Sequence, residues 1–386
     1  MPEDRPLEAR VRARLSGLDA DGLTRSLKPP SGIDLCSNDY LGLARHPAIA
    51  ARLAAAAVRE GVGSTGSRLL RGDRQAFHAI ESRFARFKRA ERAIYFGAGY
   101  LANLAVMSTL TEPGDVIFSD ERNHASLIDG MRLAKARTVI FAHSQPKDLR
   151  RLIEQTPCSG VRFIVTESIF SMDGDMAPLA EYFALAHEAK ATLVVDEAHA
   201  VGIYGAKGSG VLEELDVPHD RCLSISTGGK ALGVNGAFVA GPSWAIDYLV
   251  QRGRSFVFST APPPALAHAL DASLTIVEEE PERRARLRSL AGHLRARLRA
   301  SGVDVPSADS PIVPVIIGDN EQTVAVAARL QQSGFDIRAI RPPSVPPGTA
   351  RLRISVNAGL DEATLDRFAE ALIAALKEMG LCAVSL

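Results

Sequence analysis

The stretch Ser224-Ile225-Ser226-Thr227-Gly228-Gly229-Lys230-Ala231-Leu232-Gly233 decides how the rest of the chain is read. Cys222 to Ser226 predicts a short buried strand that runs into hydroxyls and two glycines and then presents one lysine. Between Leu223 and Ile246 no other residue carries a charge. A lysine on a solvated helix face normally has charged neighbours, whereas this one has small ones. An amine held in such surroundings loses solvation, so its pKa falls and it becomes a usable nucleophile and base. An ordinary loop lysine whose head reaches water would leave the same local trace. The other features of the chain have to choose between the two.

Working outward, short apolar strands alternate with helices from Ile94 onward. Strands are predicted at Ala93–Phe96, Val116–Ser119, Thr138–Phe141, Val161–Glu167, Thr192–Asp196, Cys222–Ser226 and Ala237–Ala240, with helices at 99–110, 125–134 and 178–190. Near-continuous apolar strands separated by helices imply a mostly parallel sheet covered on both faces. Such sheets seat ligands at the carboxyl ends of their strands. Asp196, the loop after Glu167 and the loop before Lys230 all lie at that end.

Upstream, the first thirty residues predict one amphipathic helix (Leu7, Val11, Leu15, Leu18) ending near Pro29-Pro30, and an alanine-rich helix covers Ala48–Arg59. Phe77, Ile80, Phe84 and Phe87 fall at helical spacing and form a core face. Downstream of Trp244 the character changes. Helices at 264–280 and 281–300 lead to strands at 312–317, 335–340 and 351–356 with helices at 323–332 and 361–379. The expected division is an N-terminal helix and arm (1–45), a large domain (46–275) and a small α+β domain (276–386).

Bulk properties exclude several classes. The 386 residues include 45 Lys+Arg and 45 Asp+Glu, so no global basic field points to nucleic acid or anionic lipid. The arginines of the 281–300 helix read as a solvated face. Cys36, Cys158, Cys222 and Cys382 show neither CxxC spacing nor a metal-ligand grouping, which suits a reducing compartment without structural zinc. No apolar run follows the N-terminus as in a secretory signal, and none approaches the ~18 residues of a membrane helix. The expectation is a cytoplasmic protein with no membrane and no nucleic-acid partner.

Asp196 ends an apolar strand and is followed by Glu197-Ala198-His199. A carboxylate at a buried strand end is costly without a cationic partner, and no arginine lies nearby in sequence. A protonated pyridine nitrogen would suit it. The same four residues occur in helicase Walker-B stretches, but no GxxxxGK[ST] loop lies upstream. Gly97-Ala98-Gly99-Tyr100 opens a helix straight after a strand and makes a weak but usable site for one phosphate. Asn123-His124-Ala125-Ser126 begins another helix, where His124 is either a capping histidine or a ring stacked on a planar cofactor. A lysine amine, an acid, a phosphate cradle and an imidazole, in this order on one parallel sheet, describe a pyridoxal 5′-phosphate site.

With these motifs in hand, the chain resembles the α-oxoamine synthases, within the aspartate-aminotransferase-like (fold type I) pyridoxal phosphate enzymes. The likeness runs from Ser37 to about Ala358 and rests on Ser37–Leu43, Gly63–Arg68, His124–Leu127, Glu167–Asp175, Asp196–His199 and Thr227–Lys230. The resemblance implies that Lys230 holds the cofactor and then moves the α-proton. It implies that Asp196 pairs with the ring nitrogen, His199 bonds the phenolic oxygen and His124 stacks on the ring. Gly99, Tyr100 and Thr227 would hold the phosphate, with Ser171 also in the cofactor site. Ser259 and Thr260 would reach the phosphate of a partner subunit, which implies a homodimer.

The segment Ile340–Ser355, with Gly318-Asp319-Asn320 upstream, is similar to members that join L-alanine to a pimeloyl thioester in biotin biosynthesis. By that resemblance Arg353 would grip the amino-acid carboxylate, Asn38 would meet substrate, and Ser344 and Arg341 would face the acyl group. Arg25 stands where such enzymes often carry a substrate-binding arginine. The acyl carrier is either coenzyme A or an acyl carrier protein. Glycine C-acetyltransferase, another α-oxoamine synthase and a non-catalytic scaffold subunit are the alternatives. Lys207, in its own glycine-rich loop, is the rival lysine, but no strand end bearing phosphate-binding hydroxyls precedes it.

Overall fold

Seven apolar runs lie side by side in one sheet. The computed structural model describes residues 5–220 and 222–381, so Cys382 lies outside the described residues. The chain enters through a two-residue strand, β1 (Ile33–Asp34). The central sheet then takes β2 (Arg92–Phe96), β3 (Val116–Asp120), β4 (Arg137–Phe141), β5 (Arg162–Glu167), β6 (Thr192–Asp196), β7 (Cys222–Thr227) and β8 (Ala237–Gly241). Its order is β2-β8-β7-β6-β5-β3-β4, with β8 antiparallel to both neighbours and the other pairings parallel.

The inner strands are buried almost end to end, so β3, β5, β6 and β8 show no polar alternation, while β7 alternates the buried Ser224 and Ser226 with Leu223 and Ile225. Successive residues still face opposite layers. Phe118, Ile164 and Val195 join one apolar cluster, while their neighbours Ile117, Val165 and Val194 join the other. Parallel strands bring their carboxyl ends to one edge, so Asp120, Glu167, Asp196 and Thr227, the last residues of β3, β5, β6 and β7, form a row. Strand order reverses around β3, and the crevice beside such a reversal is where open α/β sheets seat ligands. His124 follows β3 there, and Ser171 follows β5.

Beyond the helices Pro264–Glu279 and Pro281–Ala300 come β9 (Ile312–Gly318), β10 (Phe335–Asp336), β11 (Ala339–Ile340) and β12 (Ala350–Ser355). β12 pairs antiparallel with β9 and β11. The single strand expected over 335–340 is divided in two. The arm supplies the reason, because β1 pairs with Phe335 and Asp336 and draws them away from β12.

Two further expectations change. The first helix, Pro6–Ala20, stops well before the prolines. Gly22 at φ +65°, with Gly22 N–H donating to Asp19 O at 3.0 Å and Leu23 N–H to Leu18 O at 2.7 Å, closes it as a Schellman cap. Its Leu7, Val11, Leu15 and Leu18 are all exposed within the single chain. On the Pro281–Ala300 helix, Arg284 and Arg295 are buried rather than solvated. Their guanidinium groups satisfy backbone carbonyls, Arg284 Nη2 to Ala206 O at 2.8 Å and Arg295 Nη2 to Ile312 O at 2.7 Å.

Candidate active site

Lys230 stands in the tight turn after β7, closed by Gly233 N–H to Lys230 O at 2.8 Å. Gly233 has φ +65°, and a Cβ there would come 2.5 Å from the backbone of Leu43 and Ala44. Glycine at this position therefore lets the lysine turn press against the Ser37–Leu43 arm. Burial is the first influence on the amine and brings its pKa down to about 8, against the pull of Asp196 and Glu167 and with help from Arg353. Lys230 Nζ lies 2.7 Å from His199 Nε2. His199 is itself buried, and burial, then Lys230 and Arg353, hold it well below the usual imidazole range. Its Nδ1 meets Tyr40 Oη at 2.8 Å.

Asp196 is positioned by two donors. Ala198 N–H reaches its Oδ1 at 2.9 Å, and Asn103 Nδ2 reaches its Oδ2 at 2.8 Å. The same amide donates to Ser126 Oγ at 2.8 Å, and that hydroxyl lies 2.7 Å from His124 Nδ1. A continuous chain of hydrogen bonds thus runs from Asp196 through Asn103 and Ser126 to His124. His124 caps the helix Ala125–Leu133, accepting from Ser126 N–H at 3.2 Å, and its ring stays exposed to the crevice. Capping and stacking are compatible, since Nδ1 serves the cap while the ring face is free.

At the helix Gly99–Leu110 no side chain caps the N-terminus, so its first N–H groups are open. A Cβ on Gly99 would sit 3.8 Å from the Thr227 Cβ, so glycine keeps a space between that terminus and the threonine. The Thr227 hydroxyl donates to Gly236 O at 3.1 Å and accepts from Gly229 N–H at 3.3 Å. Tyr100 is exposed at the same terminus, its hydroxyl donating to Asp129. Ser259 is half-buried and Thr260 exposed, in a segment pinned by Ser64 Oγ to Pro262 O at 2.6 Å and Ala261 N–H to Gly66 O at 2.9 Å.

Arg353 is buried in β12 and reaches across to the arm and the β5 loop. It donates to Ser171 O, to Ser355 Oγ at 2.7 Å, to Asn38 Oδ1 at 3.0 Å and to Tyr40 Oη at 3.0 Å. Ser171 therefore touches the guanidinium through its backbone. Arg25 and Arg341 are joined to each other's segments. Arg341 donates to Gly22 O and, at 3.0 Å, to Thr24 O, while Arg25 donates to Pro342 O at 3.0 Å. Ser344 is exposed on the intervening loop. None of these three bonds to Lys230, His199 or Asp196. Lys207 is exposed in a turn whose backbone N–H serves Glu213, away from the row of strand ends.

The family model for aminotransferase class I and II matches residues 30–372. An 8-amino-7-oxononanoate synthase from Anaeromyxobacter dehalogenans is 45% identical over 383 residues, covering 96% of each chain. Another, from Methylococcus capsulatus, is 44% identical over 348 residues, covering 90% of this chain and 89% of that one. The chain belongs to the α-oxoamine synthases. Solved structures place this α-oxoamine synthase beside a serine palmitoyltransferase from S. paucimobilis with bound PLP–myriocin aldimine. The TM-score is 0.90 at 29% identity, over 98% of this chain and 100% of that one. An 8-amino-7-oxononanoate synthase from Francisella tularensis gives a TM-score of 0.79 at 27% identity, over 91% and 99%.

Four residues of this α-oxoamine synthase's site escaped the sequence reading. Tyr40 and Glu167 lie inside motifs already quoted, but nothing local reveals what they face. Ser126 also lies inside a quoted motif, and Asn103 carries a signal of its own. Asn103 is buried in the otherwise apolar first turns of the Gly99–Leu110 helix, and such a polar group needs a stated partner. No cluster of His, Cys, Asp or Glu among the described residues is arranged to hold a metal ion, and no helix is long and apolar enough to cross a membrane.

Proposed function

We propose that this chain condenses L-alanine with a pimeloyl thioester to give 8-amino-7-oxononanoate, CO2 and the free thiol carrier. The observation that carries this reading is the 45% identity to curated 8-amino-7-oxononanoate synthases along 96% of the chain. The solved structures that share the fold, named serine palmitoyltransferase or 8-amino-7-oxononanoate synthase, are 27–31% identical.

The residues present fit pyridoxal 5′-phosphate. The uncapped helix at Gly99, with space kept open toward Thr227, suits a phosphate group. Asp196, a carboxylate to which no cationic side chain among the described residues is bonded, suits a protonated ring nitrogen. When bound, the cofactor supplies an electron-poor ring that acidifies the amino acid's α-carbon. Lys230, lowered toward neutrality, can take and return the α-proton. His199 and the Asp196–Asn103–Ser126–His124 chain orient the polar and stacking contacts. Arg353 holds the amino-acid carboxylate by exchanging some of its present partners.

The acyl end has a matching feature. Arg341 has a buried Nε with no partner, and burial together with the nearby Arg25 charge pulls its pKa down. Two neighbouring guanidinium groups are relieved by an anion, which an ω-carboxylate supplies and an acetyl group does not. The protein works as a homodimer in this reading. Support comes from Leu70, Phe258 and Trp244, exposed at 83%, 73% and 63%, and from Thr260, exposed and left for a partner's phosphate. Its described cysteines are free thiols, which suits the cytoplasm.

Product mass spectrometry tests the proposal. Alanine, glycine and serine are each paired with pimeloyl, acetyl and palmitoyl thioesters. Alanine with the pimeloyl thioester is expected to give the highest kcat/KM. A better pair of glycine and acetyl thioester would overturn the substrate assignment.

A further inference from the structure

Tyr40 has no part in the chemistry above, yet its hydroxyl stands at the junction of the site. The side chain is fully buried, at 0% exposure, so water cannot complete its bonding. Three polar atoms surround its Oη: His199 Nδ1 at 2.8 Å, Asn38 Oδ1 at 3.0 Å and Arg353 Nη2 at 3.0 Å. A guanidinium only donates, so the phenol oxygen accepts from Arg353. Its single proton is left for either His199 or Asn38. Arg353 Nη2 spends its other hydrogen on Asn38 Oδ1, 3.0 Å away.

His199 joins this junction to Lys230 through Nε2 at 2.7 Å. Burial, Lys230, Arg353 and His124 all oppose a charge on the imidazole, so it carries one proton, on one nitrogen or the other. Two arrangements satisfy every group. With Lys230 an ammonium, Lys230 donates to Nε2, Nδ1–H donates to Tyr40, and Tyr40 donates to Asn38. With Lys230 a free amine, Nε2–H donates to Lys230, and Tyr40 donates to Nδ1. No heavy atom moves between them. Lys230 loses one proton to the medium, while His199 and Tyr40 each keep one.

We propose that Tyr40 is a positioning residue that lets His199 exchange tautomers in step with the protonation of Lys230. A phenylalanine would leave Nδ1 without a partner in either state, and a buried unpaired N–H is the costlier orphan. The lysine would then lose the freedom to carry its proton at no cost to its neighbours. Asn38 is the alternative acceptor that makes the turn of the hydroxyl possible. The charges that bear on the couple come from several elements: Asp196 on β6, Glu167 on β5, Arg353 on β12 and His124 at its helix start. The relevance of this device to catalysis rests on the pyridoxal phosphate reading, but its existence does not.

The test is a pH titration of full-length protein labelled with ¹⁵N-histidine, freed of cofactor so that the Lys230 amine is available. His199→Gln identifies the His199 ring resonances. In the native protein the two ring nitrogens of His199 are expected to exchange protonated and bare character as pH crosses about 8, to which burial lowers the Lys230 amine. In Tyr40→Phe the ring is expected to keep the proton on Nε2 throughout. A native His199 whose tautomer is the same on both sides of that pH overturns the proposal, and does so even if the variant fails to fold. A folded Tyr40→Phe that still exchanges overturns it as well. Neither alanine nor an acyl thioester enters this measurement, so its failure is distinguishable from failure of the condensation assay.

Discussion

Glu167 and Asp196 end adjacent parallel strands as a register pair, two carboxyl groups side by side at the floor of the crevice. Glu167 is buried, with Oε1 unpartnered, and burial followed by the Asp196 charge pushes its pKa well above the carboxylate range. Two like charges there would repel in a medium that screens poorly.

Glu167 is therefore expected to be a neutral acid, and Glu167→Gln to be mild, within about 1 kcal/mol of native stability near pH 5. The sign with pH is definite. A raised acid pKa contributes stability below the unfolded value of 4.5 and loses it as pH rises toward the folded value. The glutamine variant carries no such penalty, so its Tm relative to native should improve from pH 4.5 to 7.5. A relative Tm that falls over that range would show Glu167 charged.

Asp196→Asn tests the other member of the pair. Both oxygens of Asp196 accept, from Ala198 N–H and Asn103 Nδ2, so a new amide brings a donor against donors. Turning the Asn103 amide to compensate removes the donor that Ser126 and, through it, His124 rely on. Circular dichroism should stay native while α-proton exchange of alanine falls by ~10²–10⁴. A loss below about tenfold would place the carboxylate away from the ring nitrogen.

His143 gives a pH dependence of the opposite kind. Its Nδ1 meets Asp120 Oδ1 at 2.9 Å and its Nε2 meets Asp175 Oδ2 at 2.7 Å. Burial works against its charge, yet the two aspartates outweigh burial and raise its pKa to about 9. A raised histidine contributes stability that is complete below its unfolded value near 6.5 and lost as pH rises through about 9. Reduced by solvent screening, the contribution is on the order of 2–3 kcal/mol. Native Tm should fall between pH 7 and 10, and His143→Gln should flatten that fall. Since Asp175 closes the loop bearing Ser171, the variant should also weaken alanine binding. Parallel Tm curves would remove His143 from this role.

How legible all this was depended on range. The strands were readable because β3, β5 and β6 carry unbroken apolar runs, and the polar terminal residues of β3, β5, β6 and β7 mark the crevice. Lys230 and His124 stood out because each follows a strand end, and Asp196 because it closes one. Tyr40 meeting His199 across 159 positions was not, since nothing in Ser37–Leu43 announces its partner. The division of the 335–340 segment depended on β1, some three hundred residues earlier in the chain. The buried Arg284 and Arg295 looked like surface charges because their partners are backbone carbonyls, which no sequence pattern displays.

Arg341→Ala probes the acyl end. The side chain ties the arm through Gly22 and Thr24, so its loss should free residues 21–30 and remove one cation from the proposed carboxylate site. The KM for the pimeloyl thioester should rise roughly tenfold or more, as for a lost charge-assisted pair. The KM for alanine should hold, because Arg353 bonds none of these groups. Equal rises in both would assign Arg341 to the arm alone.

The most direct measurement concerns the lysine itself. Purified protein loaded with pyridoxal 5′-phosphate is reduced with borohydride, digested, and mapped by mass spectrometry for the lysine that retains the cofactor. The amine brought to about pKa 8 beside His199 is expected to carry the label, so the modified peptide should contain Lys230. A label on Lys207 would contradict the site described here.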